Sequence, residues 1–144
     1  MRWSDAKGRK VVSTSDASNV GKVSDVLVDT SAGRVVGVVL KKTDTEGDTL
    51  LWPAIESFGI DAVTVAGEQA VTVADEAVKA LRGKDCAVLG KRVLTTDGDG
   101  LGKVKDLDFD ADTGRLNALV VGGAEVSASR LVDAGPYAVV VRGQ

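Results

Sequence analysis

The stretch Gly21-Lys22-Val23-Ser24-Asp25-Val26-Leu27-Val28-Asp29 returns 81 residues later as Gly102-Lys103-Val104-Lys105-Asp106-Leu107-Asp108-Phe109-Asp110. Both copies continue to a Gly-Arg pair, and seven of the fourteen positions in residues 21–34 are identical in the second copy. A self-similarity of this length indicates an internal duplication. The chain therefore contains one small structural unit, built twice.

Each copy consists of short runs of β-branched and apolar residues separated by turn-forming residues. This pattern predicts an all-β (mainly β) fold, with a small barrel or rolled sheet of five or six strands in each copy. The first copy has its runs at residues 9–13, 21–29, 34–40, 49–52 and 61–65, and the second at 90–94, 101–110, 116–121, 125–128 and 137–141. Pro53 ends the fourth run, and a single helical turn is predicted at residues 53–58.

Strand alternation assigns a face to each residue of the repeated strand. Val26 and Val28, with Leu107 and Phe109 in the second copy, are predicted to point inward. The alternate set contains Asp25 and Asp106, which are predicted to lie outward or at the barrel rim.

A short helix is predicted between the copies, over residues 72–83. Its apolar residues Val73, Ala77, Val78 and Leu81 lie at helical spacing, and Gly83 suits its end. The predicted organisation is a first repeat at 1–70, a linker with this helix at 71–86, and a second repeat at 87–144. The two units are expected to pack as a pseudo-twofold pair.

Composition excludes several functions. The net charge is −3 with mixed signs, and no basic stripe is visible, so direct nucleic-acid binding is disfavoured. No apolar run approaches the length of a membrane span. The chain has one cysteine, Cys86, which indicates a reducing cytoplasm, and no histidine, which excludes histidine-based catalytic and zinc sites within the chain.

The repeated pattern resembles the PRC-barrel family. Each copy has Gly-x-x-Val, then Gly-Lys-Val-x-Asp, then Asp-x-x-x-Gly-Arg, an apolar strand, and a final Ala-Val-x-Val. In this sequence they begin at Gly8, Gly21, Asp29 and Ala62, and again at Gly90, Gly102, Asp110 and Ala138. The resemblance implies two tandem PRC-type β-barrels that act as interaction modules rather than enzymes. The family includes a domain of the photosynthetic reaction-centre H subunit and one of a ribosome-maturation factor.

Acidic residues form the first group of candidate sites. Asp106, Asp108, Asp110 and Asp112 alternate along a strand and its turn, so they could bind a cation or a basic partner. The alternative is a solvated strand face that resists edge aggregation. Residues 97–102 begin like a calcium loop, but position five is Leu101, which has no oxygen ligand, and position twelve is Asp108 instead of glutamate, which favours an ordinary turn.

Other candidates are weaker. Asp25 and Asp106 could form a catalytic carboxylate pair, but the interpretation we favour is that each accepts a hydrogen bond from a turn amide. Lys22 and Lys103 are interpreted as exposed lysines on a strand. The glycines 98, 100, 102, 122 and 123 precede strands rather than the helix that a phosphate loop requires. Cys86 beside Lys84 fits an incidental thiol. Most of the aromatic residues are expected to pack at barrel ends or between the repeats: Trp3, Trp52, Phe58 and Tyr137.

The sequence predicts a non-enzymatic, cytoplasmic protein-interaction or scaffold module with no cofactor, no metal and no catalytic residues. Its expected partner is another protein or a second copy of itself in a homodimer. The alternative is a ribosome- or RNA-metabolism-associated factor that acts through a ribosomal protein.

Overall fold

The computed structural model, described for residues 1–43, 45–82 and 88–143, folds each repeat into one six-stranded sheet. The first sheet contains β1 (Lys10–Ser13), β2 (Asn19–Asp29), β3 (Arg34–Lys41), β4 (Thr49–Leu51), β5 (Ile55–Phe58) and β6 (Ala62–Val65). The second contains β7 (Arg92–Thr95), β8 (Gly100–Phe109), β9 (Leu116–Val121), β10 (Ala124–Ser127), β11 (Leu131–Ala134) and β12 (Val139–Val141). The helices are α1 (Trp3–Ala6) and α2 (Glu76–Arg82).

The two sheets have the same topology. Their strand orders are β4-β3-β2-β1-β6-β5 and β10-β9-β8-β7-β12-β11, and β1–β6 and β7–β12 are parallel pairs among antiparallel neighbours. The register shifts at the same place in both long strands, between Val23 and Asp25 and between Val104 and Asp106. The mainly β, duplicated fold predicted from the sequence is confirmed.

The repeats meet through a reciprocal pair of hydrogen bonds. The Val35 amide donates to the Gly114 carbonyl at 2.7 Å, and the Leu116 amide donates to the Gly33 carbonyl at 3.0 Å. Val35 and Leu116 are 81 positions apart, and so are Gly33 and Gly114, so the two bonds are equivalent under the duplication. The turns of β2–β3 and β8–β9 are therefore related by the predicted pseudo-twofold symmetry.

One hydrophobic core serves both repeats. Val28, Leu107 and Phe109 are buried in a single cluster, and Val26 is half-buried against it, as the strand alternation predicted. Phe58 of the first sheet meets Phe109 of the second edge-on, with 5.6 Å between ring centroids. Sharing a core lets two units of marginal size bury more apolar surface than either would alone.

Short helices pack against the two long strands, α2 against β2 and α1 against β8. Helix α2 follows the first repeat and packs on β2, where Leu27 is buried with Ala74 and Val78. Helix α1 begins the chain but packs on β8 of the second repeat. Sequence analysis missed α1, because four residues carry too little periodicity to show a helix.

The linker helix was predicted too long. Residues 72–75 are not helical: Thr72 pairs with Thr49 of β4, and helix α2 begins only at Glu76. Val73 and Ala77 are exposed, whereas Ala74 and Val78 face the sheet. The predicted end at Gly83 lies outside the described residues.

The helical turn predicted at residues 53–58 was wrong over most of its length. A 3₁₀ turn occupies Trp52–Ala54, and Ile55–Phe58 then form strand β5 against β6. The sheet partner overrides the weak helical preference of this segment. Within the described ranges, no helix has the length and apolar character needed to cross a bilayer.

Candidate interaction surface

The acidic row is divided among separate intrachain contacts. Asp106 accepts hydrogen bonds from the Ser4 amide at 2.9 Å and the Ser4 hydroxyl at 2.5 Å. Asp108 lies 3.4 Å from the Met1 ammonium, and Asp110 accepts from the amides of its own turn. In the part of the chain that the structure describes, no three acidic or cysteine side chains are grouped so that they could hold a metal ion.

Asp25 and Asp106 share one local role. Each carboxylate accepts a hydrogen bond at 2.8 Å from the amide of the next residue, Val26 or Leu107. Asp25 has no counterpart of the Ser4 contact among the described residues and is exposed. The structure thus places the two carboxylates at equivalent bulges, one in each sheet, and does not bring them together as a pair.

The glycine-rich stretches form turns and strand starts. Gly98 lies in the turn between β7 and β8 with a φ of +88°, and β8 begins at Gly100. Gly122 and Gly123 make the hairpin turn between β9 and β10. Strands follow both stretches, as the sequence suggested, so neither offers a helix N-terminus to a phosphate.

Two of the four aromatic candidates are buried and a third is partly buried. Trp3 and Phe58 are buried, and Trp52 stacks on Phe58 with 5.7 Å between ring centroids. Tyr137 is exposed, and the Arg92 guanidinium lies 4.7 Å from the centroid of its ring. Cys86, the candidate thiol, and its neighbour Lys84 lie outside the described residues.

A cleft of about 550 Å³ lies beside β10. Its lining includes Leu101, Ala124 and Val126, with Asp97, Asp99 and Glu125 among its polar residues. Arg130 also lines the cleft, but its guanidinium donates twice to the Arg142 carbonyl, at 3.0 and 2.7 Å. The cleft therefore combines apolar groups with an acidic rim.

The equivalent region of the first repeat is covered by the chain itself. After β6, residues 70–73 reach β4, where the Thr49 amide donates to Thr72 at 3.0 Å and the Thr72 amide donates to Thr49 at 2.8 Å. Val71, just before this bridge, is 7% exposed and belongs to the shared core. Thr72 thus supplies hydrogen-bond partners to the Thr49 amide and carbonyl, which point away from β3.

Equivalent residues of the two repeats differ sharply in exposure. Val20 is 7% exposed, whereas Leu101, 81 residues later, is 39% exposed. Thr49 is fully buried, whereas Glu125, which holds the same register position on β10, is exposed. Among the described residues, no backbone group pairs with the outward edge of β10 at Glu125.

Sequence reasoning missed this cleft. Its signal lies in the substitutions between the copies: Thr49 and Val20 of the first repeat correspond to Glu125 and Leu101 of the second. A buried threonine replaced by glutamate marks a position that has become solvent-accessible. That signal can be read only after the strands of the two copies have been aligned by register.

A family model described as the PRC-barrel domain matches residues 1–76 and 84–142. The two matched segments correspond to the two sheets. No curated protein matches the chain.

Proposed function

The chain belongs to the PRC-barrel family, and we propose that it works as a non-enzymatic protein-interaction module whose second repeat holds the partner. Family membership supports this proposal, because PRC-barrel domains are generally non-catalytic and often serve as interaction modules. The proposed setting is the cytoplasm, as the single cysteine, Cys86, suggested.

The observation that carries the proposal is the difference between two equivalent surfaces. Residues 70–73 cover the edge of β4, but no described residues cover the edge of β10. The exposed Leu101 and the backbone edge at Glu125, which no described residue pairs with, are features that isolated domains usually protect, because they invite association. A partner protein seated in the cleft would satisfy both.

A photo-crosslinking amino acid at position 101 of the full chain tests this proposal in cells. We expect a defined protein to be crosslinked at position 101 and not at position 60, where Ile60, which is even more exposed than Leu101, lies on the β5–β6 turn. A Gly123→Val variant, which narrows the cleft, should abolish the crosslink. The proposal fails if position 101 captures nothing, or if the same proteins are captured at both positions.

A ribosome-associated role is the second candidate function. Asp97 and Asp99 on the cleft rim favour it, because ribosomal proteins are strongly basic and would be attracted to an acidic surface. Co-sedimentation with ribosomal subunits at low salt, lost in an Asp97→Lys/Asp99→Lys variant, is the expected result. Sedimentation that is unchanged by this charge reversal would contradict the role assigned to the acidic rim.

A further inference from the structure

We propose that the cleft beside β10 binds an extended segment of a partner protein as an additional strand, in the place that residues 70–73 occupy on β4. This inference rests on the proposed function, that the second repeat holds a protein partner, and it specifies how that partner binds. Addition of a peptide strand to an exposed sheet edge is a common recognition mode, in which backbone hydrogen bonds supply affinity.

The register of β10 identifies the backbone groups that would receive the segment. In the first repeat, Thr49 pairs with Val39 and Leu50 pairs with Val38. In the second, Glu125 pairs with Val120 and Val126 pairs with Leu119, so Glu125 is equivalent to Thr49. Because the Thr49 amide and carbonyl point away from β3 and bond Thr72, those of Glu125 point away from β9. Consecutive residues of a strand alternate in this way. Glu125 thus presents one donor and one acceptor at the spacing that an extended chain requires.

A pair of equivalent glycines shows that there is room for the segment. A Cβ atom at Gly47 would lie 2.3 Å from the carbonyl carbon and oxygen of Thr72, so the covering segment requires a glycine there. The equivalent residue before β10 is Gly123, and a Cβ atom there would meet nothing within 4 Å. In the first repeat the glycine makes room for the backbone of Thr72, whereas in the second repeat no described residue occupies the space beside Gly123.

The chemistry of the occupant follows from the lining. Leu101, Val126 and Ala124 favour a small apolar side chain, as Val71 supplies in the covered repeat. Glu125 already pairs with Arg2, but within the described residues Asp97 and Asp99 form no ion pair. The segment is therefore expected to carry valine, isoleucine or threonine at its centre and a lysine or arginine near the acidic rim.

The experiment uses the chain's own covering segment as its probe. A fluorescein-labelled peptide of residues 67–74, and the same peptide with Glu68→Lys, are titrated into the full protein, and anisotropy reports binding. We expect both to bind and the lysine peptide to bind more tightly, with an advantage that falls as salt is raised. NMR amide shifts should concentrate on β10 around Glu125 rather than on β4 around Thr49.

Two protein variants and two controls locate the site. Glu125→Pro removes the outward amide at an edge position that tolerates proline, and Gly123→Val fills the space beside β10; each should weaken binding by about tenfold or more. Glu125→Ala retains the backbone and should change binding less than about threefold. Gly135→Val changes another glycine that has open space around it and should leave binding unchanged.

Each outcome decides a separate point. Three results would overturn strand addition at β10: peptide binding to Glu125→Pro and Gly123→Val as tight as to the wild-type protein, amide shifts centred on Thr49, or no binding at millimolar peptide. If the peptide fails but crosslinking at position 101 still captures a partner, the interaction function stands and the binding mode is wrong. If the protein instead dimerises with concentration and Gly123→Val prevents it, the cleft belongs to a second copy, which also overturns the proposal. Should Glu125→Pro lose its fold by circular dichroism, Gly123→Val alone carries the test.

Discussion

Gly114 lies against the indole of Trp52, so that a Cβ atom at this glycine would be 3.1 Å from two ring atoms and 2.7 Å from the Val35 carbonyl oxygen. This contact joins the turn of the second repeat to the 3₁₀ turn of the first. Gly33, its equivalent, has nothing within 4 Å of the same position. The duplication therefore supplies an internal control for the cost of filling the boundary between the repeats.

Gly114→Ala should destabilise the protein more than Gly33→Ala. Both glycines have positive φ, +80° and +66°, so alanine costs about 1–2 kcal/mol of backbone strain at either site. At Gly114 the added methyl group also collides with the Val35 carbonyl, which adds about 1–3 kcal/mol. Urea denaturation followed by far-UV circular dichroism measures the difference. Equal losses would show that the repeats do not meet closely at this turn.

Phe109→Ala should unfold both repeats together. Phe109 is buried against Phe58 and packs edge-on to Trp52, 6.2 Å between centroids, so its loss opens a cavity at the boundary and costs about 3–5 kcal/mol. Val28→Ala, at the equivalent position of the first repeat, should cost about 2 kcal/mol because fewer buried carbons are lost.

Both variants should retain one cooperative transition, with tryptophan fluorescence and circular dichroism giving the same midpoint. The repeats share a core in the structure, and a unit of this size has too little core of its own to stay folded once its neighbour unfolds. Two separated transitions would show that each sheet is stable independently.

Asp106→Ala should cost about 1 kcal/mol, because it removes both hydrogen bonds that Asp106 accepts from Ser4 of α1. Asp25→Ala is the matched control, since Asp25 bonds only the Val26 amide beside it among the described residues and should cost a few tenths. Thermal melts of the two variants measure these effects, and α1 should become more accessible to protease in Asp106→Ala. A larger loss from Asp25→Ala would contradict the role given to Asp106.

Much of the fold was predictable because its determinants are local and repeated. Alternation along residues 21–29 and 102–110 identified the inward residues, and the recurring Gly-Arg turns fixed the hairpins. The outer face was less predictable. Leu27 has the parity of an exposed residue, and it is buried only because α2 returns to cover β2.

The candidate site could not be found from either copy alone. The acidic row drew attention because its residues alternate, but Ser4, Met1 and the turn amides divide those carboxylates among different partners. The cleft beside β10 depends on where residues 70–73 run in the first repeat, which is set by pairing between Thr49 and Thr72. Such tertiary pairings have no short-range signature in sequence.

Asp29 should make stability depend on pH in the acidic range. The Ser31 hydroxyl donates to its carboxylate at 2.6 Å, and this bond, helped by the Ala32 and Ser31 amides, lowers the pKa of Asp29 from 3.8. Because the pKa is lower in the folded state, the carboxylate's contribution is complete above the unfolded value and is lost as pH falls through the folded value. Wild type should therefore be more stable than Asp29→Asn near pH 7, and the difference should shrink toward about pH 3.

The Ser31→Ala background isolates the cause of this pH dependence. Without the hydroxyl, the Asp29 carboxylate loses the largest contribution to its lowered pKa, so Asp29→Asn should produce a smaller pH-dependent change there than in wild type. Urea midpoints of the four proteins, compared near pH 7 and near pH 3, form a double-mutant cycle at each pH. A coupling between the two residues that is the same at both pH values would show that the hydroxyl bond does not favour the ionised carboxylate.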